Sequence, residues 1–177
     1  IRQLTFGSSW DVRTDLRNDV VERNINLTLL EVRLHSQDNI SFRANQQYVR
    51  LEEPFRITDD ITLPLGATYT FSRYRVWAQT ANRRMLAVNG SYEVGDFYSG
   101  TRTDRQVNLT VRARTGVIVG VRGQWNSVEL PESSFTTQLY RVISETQFSP
   151  FIALVNNIQF DSQSAVLGWQ SRFRWIL

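Results

Sequence analysis

Hydrophobic and polar residues alternate most regularly in the C-terminal part of the chain. From Gln106 to Arg114, every odd position is apolar and every even position is polar. The same alternation recurs, with few exceptions, in 117–126, 151–160 and 165–177. Side chains of a β-strand point to opposite faces with a period of two residues. These four segments are therefore predicted to be strands with one apolar and one polar face.

The upstream half shows the same period less cleanly. Even positions from Leu4 to Val12 are mostly apolar and predict a first strand, and a change of parity around Leu29 and Leu30 predicts a β-bulge in the next one. A strand or a broken pair is expected over 40–51, and 95–100 is predicted to be a loop. Further strands are predicted over 68–80 and 85–94.

The predicted fold class is all-β, an antiparallel up-and-down meander of roughly nine to ten strands that closes as a barrel or forms a strongly curved sheet. Residues 1–177 are taken as a single all-β domain, and strand-like sequence at both ends suggests a piece of a longer precursor. Strands of about ten residues exceed the usual five or six. They suit an outer-membrane barrel with its apolar face toward lipid, or a soluble barrel or sandwich with that face in a core.

Composition excludes some kinds of chemistry. The chain has no cysteine, which rules out a disulfide, a thiolate metal site and a cysteine nucleophile. All 20 basic residues are arginine, and they are dispersed among 17 acidic residues instead of forming a block. Nucleic-acid binding is therefore not expected. A run of about 18 apolar residues, as a transmembrane helix needs, is also absent from the sequence.

Candidate catalytic or metal-binding residues are few. The single histidine, His35, is predicted to lie at the surface or in a turn. Glu52–Glu53 and Asp59–Asp60 offer carboxylates for calcium but lack its regular ligand spacing, so solvated turns are favoured. Glu129 and Glu132 resemble a glycosidase pair only superficially. The expectation is a protein without catalytic activity, metal, cofactor or identified small-molecule substrate.

A set of arginines on polar strand positions is the main candidate for a functional surface. They are Arg112, Arg114, Arg122, Arg172 and Arg174, with Arg73 and Arg75 earlier in the chain. In a barrel these side chains would line the lumen, and unpaired burial would be costly. Two interpretations remain open: an internal ladder of salt bridges, or an anion-attracting pore or docking face.

Several short motifs resemble one known family. They are Gly95–Asp104, Glu129–Leu139, Phe148–Pro150, Asn156–Phe160 and Arg172–Ile176, together with Glu52–Phe55 and Leu63–Gly66. They are similar to the C-terminal β-barrel-like region of uncharacterised Gram-negative envelope proteins. Those proteins carry an N-terminal domain like a family 9 carbohydrate-binding module. That domain has no counterpart in this chain, and family members usually continue beyond the Arg-Trp-Ile segment with a further strand.

The resemblance implies a non-catalytic structural β-barrel domain in the bacterial cell envelope, in the outer membrane, with lipid as its partner. The alternative is a membrane-extrinsic β subunit that binds and stabilises a membrane-protein complex, for example a photosynthetic or other energy-transducing assembly. In that case the chain would be peripheral on the cytoplasmic membrane, with other subunits as partners. Strand alternation alone does not separate these two functions.

Overall fold

Strands make up nearly the whole fold. The computed structural model describes residues 1–57, 62–131 and 133–176. The strands are β1 (Gln3–Thr14), β2 (Val20–Arg33), β3 (Asn39–Arg50), β4 (Phe55–Arg56), β5 (Thr62–Leu63), β6 (Thr68–Gln79), β7 (Leu86–Phe97), β8 (Gly100–Arg114), β9 (Val117–Glu129), β10 (Ser134–Gln147), β11 (Ile152–Asp161) and β12 (Val166–Trp175).

Ten of the strands form one antiparallel sheet in the order β1-β2-β3-β6-β7-β8-β9-β10-β11-β12. Each neighbour in this order is also the next long strand along the chain, so the predicted up-and-down meander is confirmed. The short β4 and β5 pair with each other between β3 and β6 and mark one end of the sheet, called here the hairpin end. The opposite end is called the turn end. Over the described residues, β1 and β12 are not paired with each other, and the sheet is open.

The predicted loop over 95–100 is wrong. Strand β7 continues to Phe97 and β8 begins at Gly100, with only a two-residue turn between them. The two glycines allow close backbone contact: a Cβ at Gly95 would lie 2.1 Å from the Ser72 carbonyl oxygen, and one at Gly100 would lie 1.9 Å from that of Glu129. Glycine in a strand often marks such close approach, and here it does not indicate a loop.

The predicted bulge near Leu29 is confirmed. Thr28 lies opposite Arg43 and Leu30 lies opposite Phe42, so Leu29 is the extra residue of β2. The segment that was expected to be one strand or a broken pair over 40–51 is one strand, β3. Another bulge, which the sequence pattern did not indicate, lies between Arg112 and Arg114 in β8.

The two faces of the sheet follow directly from the strand registers. The apolar face carries, among others, Trp10, Leu27, Phe42, Val76, Tyr92, Leu109, Val121, Val142, Ile158 and Trp169. The polar face carries the alternate positions. On the apolar face the polar residues Ser144, Asn156 and Ser171 lie side by side, and Asn156 Nδ2 donates a hydrogen bond to Ser144 Oγ (3.5 Å).

Burial is the reverse of that in a soluble β-protein. On the apolar face, Val107 is 48% exposed and Trp169 is 74% exposed, whereas Ser41 and Asn108 on the polar face are buried. A cavity of about 510 Å³ on the polar face is lined by residues of five adjacent strands, from Ser9 to Glu93, so that face is concave there. The convex apolar face has no second layer packed on it within the described part of the chain.

A small apolar core lies at the hairpin end of the polar face. Tyr98, in the β7–β8 turn, packs its ring against Phe55, Tyr69, Phe71 and Phe97 at centroid distances of 4.9–5.4 Å. Phe71 is buried at this end. The β4–β5 hairpin thus caps one end of the concavity and contributes Phe55 to the core.

The strands are staggered along the sheet. One hydrogen-bonded row passes through Ile40, Ala78, Gly90, Val107, Gly123, Tyr140, Phe160 and Leu167. Strand β3 runs from this row toward the hairpin end, whereas β12 runs from it toward the turn end. The apolar residues therefore form a band that crosses the hydrogen-bonded rows obliquely.

Candidate functional site on the polar face

Two pairs of arginines face each other across neighbouring strands of the polar face. Arg43 of β3 lies opposite Arg75 of β6, and Arg122 of β9 lies opposite Arg141 of β10. Directly opposed residues of an antiparallel pair have Cβ atoms about 4.5–5.5 Å apart, and like charges in such positions destabilise the sheet. Each pair therefore needs compensation from its surroundings.

Carboxylates compensate the Arg43–Arg75 pair. Glu93 lies opposite Arg75 on β7 and accepts a hydrogen bond from Arg75 Nε, while its other oxygen is 3.7 Å from Arg73 Nη1. Glu31 on β2 lies 3.7 Å from Arg43 Nη2. The side chains of Glu93 and Glu31 are only 14% and 17% exposed. This pair belongs to a network in which half-exposed arginines meet mostly buried carboxylates.

Amides flank the Arg122–Arg141 pair instead. Arg122 Nε donates to Asn108 Oδ1, and Arg141 Nε donates to Asn157 Oδ1 at 2.7 Å. No carboxylate of the described residues lies within 4.0 Å of either guanidinium. Both arginines are held in place, but their charges are not neutralised.

Asn108 is fixed by a further amide. It is buried, and its Nδ2 donates to Asn89 Oδ1 at 2.6 Å, so its oxygen is oriented toward Arg122. A cavity of about 170 Å³ adjoins the arginine pair and is bounded by Asn108, Gly120 and Ile143. Gly120 lines this space, and a Cβ there would meet only the Leu109 carbonyl oxygen, at 3.9 Å.

The other predicted arginines take different positions. Arg112 lies on the polar face and donates from Nη1 to the Arg84 carbonyl oxygen at 3.5 Å. Arg172 and Arg174 are exposed on β12 and line a cavity of about 290 Å³ together with Glu145. The expectation that Arg114 shares the face of Arg112 is corrected: the bulge at residue 113 pairs Arg114 with Val117, in a row of the apolar face.

Sequence reasoning missed half of each pair. Arg141 lies in a strand whose polar-face positions also include Leu139 and Ile143, which masks the alternation. Arg43 lies in the segment that was ambiguous between one strand and two. Neither Asn157 nor Glu93 was singled out as a site residue, because each matters through an arginine on the neighbouring strand. Glu93 lies directly opposite Arg75, and Asn157 lies diagonally from Arg141.

The remaining candidates do not form a site in the described residues. His35 is exposed in the β2–β3 turn, as predicted. Glu52 lies 3.5 Å from Arg13, while Asp59, Asp60 and Glu132 lie outside the described residues. Over residues 1–57, 62–131 and 133–176, no group of three or more His, Cys, Asp or Glu side chains is arranged to hold a metal ion.

Two turn carboxylates are held in their charged form. A hydrogen bond from Ser36 is the largest factor that lowers the pKa of Asp38, followed by the Ala81 backbone N–H, and Arg84 adds to both. At the hairpin end, the hydrogen bond from Arg50 (2.7 Å) lowers the pKa of Asp15. In the β7–β8 turn, burial raises the pKa of the Tyr98 hydroxyl.

The described part of the chain contains no helix that is long and apolar enough to cross a membrane. Comparison with protein-family models, with curated proteins and with solved structures gives no match for this chain.

Proposed function

We propose that this chain is a non-catalytic, structural part of an outer-membrane β-barrel in a Gram-negative cell envelope, with its convex apolar face against lipid. The observation that carries the proposal is the reversal of burial: apolar side chains are exposed across all ten long strands, and the polar side chains bond to each other on the concave side. In water, an exposed apolar face of this extent would promote association or aggregation. In a bilayer it is the stable arrangement, with polar residues toward the lumen.

The oblique course of the apolar band supports the same proposal. Barrel strands are tilted by about 35–45° to the barrel axis, so a level plane crosses successive hydrogen-bonded rows. On β9 the apolar band extends from Val117 to Trp125, nine residues. A tilted strand needs about 9–11 residues to cross the hydrocarbon region.

Side chains at the hairpin-end limit of the band suit a membrane interface. Trp125 Nε1 donates to the Tyr140 hydroxyl (3.0 Å), which donates to Gln138 Oε1 (3.0 Å). Beside them, the Arg105 guanidinium lies over the Tyr92 ring, 5.8 Å from its centroid. Rings with an apolar body and a satisfied polar tip collect where hydrocarbon meets headgroups.

Barrel closure is part of this proposal. The number of long strands is even, so β1 and β12 run antiparallel and present their free edges with the apolar face on the same side. In the hydrocarbon region an unpaired edge is not tolerated, because its N–H and C=O groups find no water. We infer that the two edges are joined, directly or through further strands, into a closed barrel.

The alternative, a membrane-extrinsic subunit, is motivated by the same two open edges, which another protein would have to cover. Native membranes containing the protein separate the two functions. Retention through salt and carbonate washes until detergent is added supports the barrel. Release by carbonate together with other subunits overturns it in favour of the extrinsic subunit.

Two nearby positions on opposite faces of β10 sharpen this test. Val142 lies on the apolar face, and Leu139 lies on the polar face with Asp161 and Gln124 as its register partners. An arginine near the middle of the lipid-facing band costs about 2–4 kcal/mol. Val142→Arg should therefore reduce membrane retention and stability in bilayers strongly, whereas Leu139→Arg, the matched control opposite Asp161, should be tolerated. Equal tolerance of both changes would contradict a lipid-facing role for this face.

A further inference from the structure

We propose that Arg122 and Arg141 form a binding site for the oxyanion group of a small solute, a phosphate, sulfate or carboxylate. The proposal goes beyond the structural role and does not depend on it, because the two residues lie on the concave face and are positioned by their own strands. Three features of the described residues carry it: the opposed charges, the free donors and the adjacent cavity.

The opposed charges lack internal compensation. Arg122 and Arg141 are register partners on adjacent strands, and no carboxylate of the described residues is within 4.0 Å. The Arg43–Arg75 pair has the same relation between strands, and each of its arginines has a carboxylate within 4.0 Å, Glu31 or Glu93. A bound oxyanion at Arg122–Arg141 would supply the charge that these two carboxylates supply at the other pair.

The donors that remain free suit an oxyanion. Each arginine of the site uses its Nε to bond an asparagine oxygen, and no further hydrogen bond is made by its terminal Nη groups within the described residues. Guanidinium groups recognise carboxylate and phosphate oxygens with paired, directional N–H donors. Two guanidinium groups on adjacent strands can therefore hold one oxyanion between them.

The surrounding residues position the arginines before a ligand arrives. Asn157 orients Arg141, and Asn108 orients Arg122 while it is itself held by Asn89. The adjoining cavity of about 170 Å³ is lined by both arginines and by Gly120, which has no side chain to enter it. A cavity of this volume, open to solvent, has room for an oxyanion and several waters.

Titration of the full-length protein with inorganic phosphate tests the site. The arginine Nε–Hε resonances are followed by NMR, and chloride keeps the ionic strength constant. The sample is the fraction in which the protein is obtained, whether it is released by carbonate or extracted with detergent. Saturable shifts are expected for Arg122 and Arg141, and none for Arg43 and Arg75. Absence of saturation, or equal shifts at both pairs, would overturn the proposal. The anion site can be tested in either fraction. A failure of membrane retention therefore contradicts only the barrel proposal, and a failure of phosphate binding contradicts only the anion site.

Two nearly isosteric variants provide matched controls. Asn157→Asp gives the Arg141 Nε–H a carboxylate acceptor, as Glu93 does for the Arg75 Nε–H, and should weaken phosphate binding at least tenfold. Glu93→Gln removes that carboxylate from Arg75 and should create phosphate-dependent shifts at Arg43–Arg75. If Asn157→Asp alters folding, Arg141→Gln takes its place as the test variant and should abolish phosphate binding. If the Asn157→Asp or Arg141→Gln variant folds and still binds phosphate with the affinity of the parent protein, the assignment of the site is wrong.

Discussion

The Arg43–Arg75 pair and the Arg122–Arg141 pair have the same geometry and opposite electrostatic surroundings. Both consist of arginines opposed across neighbouring strands of the concave face. The first pair lies among carboxylates and the second among asparagines. In the first, each arginine is paired with a carboxylate of the protein. In the second, the guanidinium groups are only positioned, which leaves their charge available to a ligand.

This difference shows that a row of arginines on a polar strand face has no single interpretation. The sequence suggested either a salt-bridge ladder or an anion-attracting surface. The described residues contain an arrangement of the first kind in β2–β7, whereas the amide-flanked arginines of β9–β10 motivate the second as a proposal. The deciding residues are Glu31, Glu93, Asn108 and Asn157, which lie on strands next to the arginines.

Within the comparison of the two arginine pairs, the largest expected effect is at Glu93. Glu93→Gln leaves Arg73 and Arg75 without the carboxylate that bonds both, on a side chain that is only 14% exposed. Hydrogen bonds to charged groups contribute about 1.5–3 kcal/mol each, so the free energy of unfolding should fall by about 2–3 kcal/mol. Urea unfolding measures this loss, with Glu145→Gln as a control expected to stay within about 0.5 kcal/mol. Equal effects of the two changes would remove the distinction between the two regions.

The converse change at the second pair should have a smaller effect of opposite sign. Asn157→Asp gives Arg141 a charged partner at the present hydrogen-bond distance of 2.7 Å. An opposite-charge cross-strand pair contributes about 0.2–1 kcal/mol, so the variant should be more stable than the parent by up to that amount. The gain should be measured in phosphate-free buffer and should shrink when phosphate is added. A loss of stability would show that Arg141 is not short of negative charge.

Removal of one arginine from each pair should change the stability of the protein in opposite directions. Arg141→Gln relieves like-charge repulsion and should change stability by about 0.5 kcal/mol or less in low salt, in the stabilising direction. Arg75→Gln, the matched change, leaves part of the Glu93 charge uncompensated and should destabilise the protein. Thermal unfolding at low and high chloride checks both, since added salt should reduce the benefit of Arg141→Gln. The comparison fails if both variants respond alike.

The smallest expected effect concerns pH. The folded pKa of Asp38 lies below its ordinary value of 3.8, so its turn interactions contribute fully above that pH and are lost as the pH falls through the folded value. Asp38→Asn should therefore flatten the decline of stability below about pH 4. The Arg122–Arg141 region has amides in place of carboxylates, and Asn108→Ala should leave that decline unchanged. Unfolding midpoints between pH 2.5 and 5, in steps of about half a unit, measure the difference.

Much of the strand pattern was predictable from local sequence. The period-two alternation from Gln106 to Arg114 and the parity change at Leu29 are read correctly, because side-chain direction in a strand depends only on position along the chain. The segment from Gly95 to Gly100 was misread as a loop. Its glycines serve contacts with Ser72 and Glu129, and a local pattern carries no information about such distant neighbours.

The candidate site was predictable only in part. Arg122 stood out from its strand, but its partner Arg141 was obscured by the apolar residues Leu139 and Ile143 on the same face. The bulge at residue 113, which moves Arg114 to the other face, leaves no mark on the alternation of Arg112 and Arg114. Where no bulge intervenes, a side chain's face can be predicted from the strand that carries it, but its neighbours depend on the registers of two more strands.

The sequence by itself determined that this is an antiparallel meander of two-faced strands without cysteine or lysine, since strand periodicity and composition are local properties. The tertiary structure alone decided that the apolar face is exposed and the polar face partly enclosed, and that one arginine pair meets carboxylates while the other meets amides. The physical reason is that burial and charge compensation depend on contacts between strands. Those contacts are fixed by register, bulges and curvature, which no single strand encodes.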